Sequence, residues 1–184
     1  MFLLLFSTAA ATQTGCRRSH EAAGAERLFR YLAAGDYGQA TLMFHLPEPY
    51  SEEEISRDRE VIAKSLAILE EEFGRLEAFR PAGTPTLFFQ IGVGGGEGAY
   101  WARFPVKKMV VYEARFSRVK VGYLKLRLCD IGERWVLQSV EYGIPMTTPG
   151  ARQKVNRIFG RLLSVVNPSA PGPKALPDSG GDRT

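Results

Sequence analysis

Arg103, Lys107, Lys108, Arg115, Arg118, Lys120, Lys125 and Arg127 are the densest group of side chains in this sequence with binding chemistry to offer. Interleaved with Trp101 and Tyr123, they could hold an anionic polymer by charge and stacking. The same cations also suit a solvated outer sheet face, where Lys and Arg block edge-to-edge pairing of strands. Residues 99–142 carry nine Lys/Arg against four Asp/Glu, whereas residues 17–80 carry nine against thirteen. The first half is thus acidic and the second basic, within a net charge of +4. Such asymmetry marks either an anionic partner, a membrane surface included, or two solvated faces.

Other chemistries find less material. Gly92-Val93-Gly94-Gly95-Gly96-Glu97-Gly98 has the composition of a phosphate loop. A phosphate loop must open onto a helix N-terminus and, in the P-loop form, carry Lys followed by Ser or Thr. Here Ala99-Tyr100-Trp101 follows, which reads as strand, so the run is expected to be a hairpin. The two histidines, His20 and His45, and the two cysteines, Cys16 and Cys129, lack ligand spacing. Glu52, Glu53 and Glu54 suit a helix N-terminus better than a cation site. No metal and no cofactor are therefore implied. Cys129 follows Leu124, Leu126 and Leu128 near a strand end and reads as a buried, inert thiol.

Cys16 carries the second kind of chemistry, acylation. Met1 to Gly15 is apolar and uncharged, Gly15 directly precedes the cysteine, and Arg17-Arg18 follow. This arrangement resembles a bacterial lipoprotein signal peptide, although Gln13 stands where that family usually has Leu. In the family the cysteine is diacylated and becomes the first residue of the mature protein. The resemblance implies a leader over 1–15, a lipid (palmitate-type) anchor at Cys16 and a tether over 16–24. It also implies a place in the bacterial cell envelope, held to a membrane and facing the periplasm or exterior. The leader is too short for a membrane span, which needs about 20 apolar residues. An apolar N-terminus with an incidental cysteine is the bland alternative.

The elements that must position these groups follow from periodicity. Leu28, Phe29, Leu32 and Ala33 mark one helix face, and Gly35 ends it. A short helix over Gln39–Phe44 precedes the prolines Pro47 and Pro49. Ser51 with Glu54 is a capping box, and Ile55, Ile62, Leu66, Leu69 and Phe73 trace a stripe down a long helix that stops at Gly74. Strands are then expected over Thr86–Ile91, Tyr100–Phe104, Met109–Phe116, Val121–Leu128 and Arg134–Tyr142, forming an antiparallel meander. Ala151–Val166 reads as an amphipathic helix with Val155, Ile158, Phe159, Leu162 and Leu163 on one side and four bases on the other. Residues 169–184, rich in Pro, Gly and Ser, read as disordered.

Helices followed by a curved antiparallel sheet make an α+β domain over 25–166, with a tail over 167–184. Leu28 to Ala40, with its Gly35-Asp36-Tyr37-Gly38 step, and the closing run Trp135-Val136-Leu137-Gln138-Ser139-Val140 together resemble NTF2-like (cystatin-like α+β) domains. The resemblance spans about Ala25 to Ile144, and the basic helix after the last strand is extra to that cone. It implies a cavity between helices and sheet, used for acid–base chemistry in some relatives and filled, or used for dimerisation, in others. Tyr31, Asp36 and Tyr112 are the cavity candidates, with Glu113 beside them. Asp36 also reads as a turn residue, and Glu113 as outward-facing.

Fold alone fixes no activity. The expected role is therefore a membrane-anchored envelope lipoprotein that binds or scaffolds without catalysis. The alternative is a small-molecule carrier or acid–base enzyme using an apolar cavity. The expected partners are the membrane through its anchor, a protein or anionic envelope material, and a second copy as homodimer. Nucleic acid is not expected. The anionic-surface candidates are Arg103, Lys107, Lys108, Arg115, Lys125 and Arg127.

Overall fold

The computed structural model describes residues 23–48, 50–82, 87–95, 106–131 and 134–167. The leader, Cys16, the tether as far as residue 22, Trp101, Arg103, the strand expected over Tyr100–Phe104 and the tail from 168 lie outside the described residues.

Helix α1 spans 23–34 and buries Ala25, Leu28, Phe29 and Leu32, the i, i+3, i+4, i+7 set that one helix face requires. Gly35, at φ 71°, closes it. The Asp36 N–H donates to the Tyr31 carbonyl and the Gly35 N–H to that of Leu32, a Schellman closure. Asp36 then caps α2 (Tyr37–Thr41) by accepting from the Gln39 N–H at 3.1 Å. Helix α3 (Glu52–Phe73) opens on a reciprocal capping box. Ser51 Oγ accepts from the Glu54 N–H at 3.3 Å, and the Ser51 N–H donates to Glu54 Oε2 at 2.7 Å. It ends at Gly74, whose φ of 85° and ψ of 175° suit glycine alone.

Five strands follow: β1 (Leu76–Pro81), β2 (Phe88–Gly94), β3 (Val106–Phe116), β4 (Gly122–Ile131) and β5 (Arg134–Pro145). They form one antiparallel sheet in the order β1-β3-β4-β5-β2. Only β3–β4–β5 is a meander; β2 crosses to the far edge beside β5. β1 is a strand that periodicity does not reveal. Leu76 alone is buried in it, Glu77 and Arg80 are charged and Pro81 closes it, all of which an edge strand tolerates. β2 runs into the glycine-rich segment through Gly92 and Gly94.

The core lies between the sheet and the helices. Phe29 of α1 stands edge-on to Phe79 and Tyr112, with ring centroids 4.6 and 4.8 Å away. Phe73 of α3 does the same to Phe116 and Tyr142 at 5.3 and 5.2 Å. Phe29, Phe73, Phe116, Leu66, Leu69 and Leu124 are fully buried, each contributing about 1.5–3 kcal/mol by leaving water.

The last helix, α4 (Ala151–Val166), packs against α3 and β2. Its apolar side is divided. Ile158 and Leu162 are buried, whereas Phe159 and Leu163 face water. Arg157 and Arg161 reach Glu72 of α3, with Nη2–Oε2 2.6 Å and Nη1–Oε1 3.0 Å, and Arg161 also pairs with Glu71. These pairs fix the rotation of the helix and turn Phe159 outward.

Candidate functional site

The outward face of the sheet gathers the charged candidates. Alternation sends Leu124 and Leu126 of β4 to the core and Tyr123, Lys125 and Arg127 to the other side. Lys125 lies directly across from Glu141 of β5. Its Nζ is 2.6 Å from Glu141 Oε2 and donates to Gln90 Oε1 of β2 at 2.7 Å. Arg127 Nε is 2.5 Å from Glu141 Oε1. Three strands thus converge on one carboxylate held between two cations. The Lys125 and Glu141 side chains are only 11% and 9% exposed. Among the described residues Glu141 Oε2 and Arg127 Nε have no aligned hydrogen bond, so the contacts of these two atoms are held by charge, while Lys125 adds its directed bond to Gln90. Gly92 leaves the room Glu141 needs, since a Cβ there would stand 2.8 Å from Glu141 Cγ.

Two further cations on this face have carboxylate partners. Arg115 Nε donates to Glu77 Oε2 at 3.1 Å, and Arg80 Nε to Glu113 Oε2 at 2.7 Å. A groove of about 350 Å³ runs between these pairs, lined by Arg80, Glu113, Arg115, Lys120 and Val121. Of the six anionic-surface candidates, the structure gives Arg115, Lys125 and Arg127 carboxylate partners. Lys108 lies on β3, as does Lys107, and Arg103 is outside the described residues. Glu77, Gln90 and Glu141 are the members that sequence reading missed. The available signal was an acid in each neighbouring strand, but only strand order shows which cation it meets.

The cavity candidates are dispersed. Asp36 is exposed, with its carboxylate engaged as the α2 cap. Tyr31 is half-buried against the core. Tyr112 packs with Phe29 and Phe79 beneath α1. Glu113 is turned outward to Arg80. A second groove, about 390 Å³, lies at the C-terminal end of α3, lined by Tyr37, Glu70, Glu71, Arg75, Ser117 and Arg118. The Tyr37 hydroxyl is buried with no hydrogen-bond partner among the described residues. Nearby, burial and then the Glu70 charge push the Tyr142 phenol well above the ordinary tyrosine range. Cys129 is fully buried, and burial raises its thiol. Among the described residues no group of His, Cys, Asp or Glu could hold a metal, and no helix is long and apolar enough to cross a membrane.

Comparison with protein-family models, curated proteins and solved structures finds no match to the chain.

Proposed function

We propose that the protein is a bacterial envelope lipoprotein, anchored through Cys16, with a binding or scaffolding role and no catalysis. The observation that carries the non-catalytic part is the filled interior. Where an NTF2-like cone would open a cavity between helix and sheet, Phe29, Phe73, Phe116, Leu66, Leu69 and Tyr142 occupy the space. An acid–base enzyme needs a carboxylate within hydrogen-bonding reach of a bound substrate. Asp36 is spent on a helix cap and Glu113 on Arg80. The address rests on the leader, which ends at Gly15-Cys16. We read the domain as an NTF2-like cone carrying α4 as an addition after its closing strand. The α1–Gly35-Asp36-Tyr37-Gly38–α2 opening and the helices-on-sheet arrangement support that reading. Partners suited to this role are the membrane itself, a second envelope protein, anionic envelope material or a second copy.

The small-molecule alternative has one observation in its favour, the unpartnered Tyr37 hydroxyl beside Glu70 in the 390 Å³ groove. The test of the main reading is incorporation of labelled palmitate in a bacterial host. Label enters the wild-type chain and is lost in Cys16→Ser; equal labelling of both, or none in either, contradicts the anchor.

A further inference from the structure

We infer that the solvent-facing side of α4 rests on an anionic lipid surface, so that the domain lies against the membrane that holds its anchor. This deepens the membrane-anchored reading and rests on it. Phe159, Leu163 and Val166 are 55%, 42% and 65% exposed, although all three are bulky and apolar. They recur at i, i+4 and i+7, and Arg152 and Asn156 extend the same line toward the helix start. At 3.6 residues per turn these five positions fall within a sector roughly 80° wide. The opposite side of the helix is occupied, because Ile158 and Leu162 are buried and Arg157 and Arg161 are bound to Glu71 and Glu72.

The occupant follows from area and charge. Three partly exposed side chains of this size present about 300 Å², and two such patches together reach about half of the 1,200 Å² at which stable protein interfaces begin. A two-fold antiparallel pairing of α4 with a second copy would also set Arg152 against Val166, and α4 has no acid to receive it. A soft anionic surface meets both conditions. It accepts a narrow convex apolar stripe into its headgroup boundary and supplies the negative charge that Arg152 lacks within the helix. The +4 net charge of the chain acts in the same direction.

The experiment uses the full chain carrying Cys16→Ser, with an environment-sensitive fluorophore attached through Val166→Cys. The control label is attached through Glu53→Cys, on the exposed first turn of α3, roughly 28 Å along that helix from Glu72. Vesicles are phosphatidylcholine alone or mixed with phosphatidylglycerol. The proposal predicts a several-fold gain and blue shift at 166 with the mixed vesicles, little change at 53, and loss of the gain in Phe159→Asp/Leu163→Asp. Arg152→Glu, which leaves the apolar stripe intact, weakens the gain if the double variant proves unfolded by circular dichroism. Equal response at both labels, silence at 166, or equal response to neutral vesicles overturns the proposal. So does a shift without vesicles that grows with protein concentration, which would make α4 a dimer surface. The apolar leader reaches lipid equally in both labelled chains, so the difference between labels reads α4 alone. Failure of the anchor appears instead as absent palmitate on the wild-type chain.

Discussion

Lys125 and Glu141 face each other across β4 and β5 with Nζ 2.6 Å from Oε2, both almost removed from water. Breaking such a pair strands a charge, whereas its net contribution over an apolar pair is small. Glu141→Gln leaves Lys125 and Arg127 facing one another and is expected to cost about 3 kcal/mol. Lys125→Met leaves Glu141 with Arg127 and is expected to cost about 1 kcal/mol or less. Urea unfolding of the two variants checks the order; equal losses would contradict it.

The clamp between α4 and α3 sets an acid limit. The Arg157 hydrogen bond, followed by that of Arg161, holds the Glu72 carboxyl below its ordinary value of 4.5 against the opposing effect of burial. Because the folded value is depressed, the stabilisation is present above 4.5 and is lost as pH falls through the lowered value. Exposure of Arg157 limits its size to about 1 kcal/mol. Thermal melts on acidification should show a shallower loss in Glu72→Gln than in wild type, and parallel curves would refute the clamp.

Phe88 lies over Gly143 and stacks on Tyr123, with centroids 5.0 Å apart and planes 14° from parallel. A Cβ at 143 would run into the Phe88 ring. Gly143→Ala is therefore expected to cost about 1–3 kcal/mol in wild type. In a Phe88→Ala background it should be nearly neutral, a coupling that a double-mutant cycle measures.

Cys129 is buried and its thiol is raised by desolvation. With Cys16→Ser it is the chain's one remaining cysteine. An aromatic disulfide reagent should find no reactive thiol in the native protein and one after denaturation. Rapid native reaction would place Cys129 among accessible, chemically active cysteines.

Local signals carried well from sequence to structure. The Ser51–Glu54 box and Gly74 bracket α3 because caps are short-range chemistry, and the Leu124/Leu126 alternation assigns the faces of β4 because strand period is local. What failed was non-local. β1 has one buried residue and two charges, so its periodicity carries no signal, and its pairing with β3 joins Arg115 to Glu77, 38 residues away. The same pairing turns cations that read as free into partnered ones. The split of the α4 apolar residues is set by Glu71 and Glu72, which no reading of α4 alone contains. Asp36 was legible as a turn residue, and the structure gives it that job as the α2 cap.

The most direct measurement is native mass spectrometry of the endogenous protein, gently extracted from its own membranes. Anchoring through Cys16 and a filled interior should give a mature chain beginning at Cys16, heavier by its acyl chains, with no small molecule retained in the domain. An unmodified N-terminus would contradict the anchor. A stoichiometric small molecule held by the domain would contradict the filled-interior, non-catalytic reading.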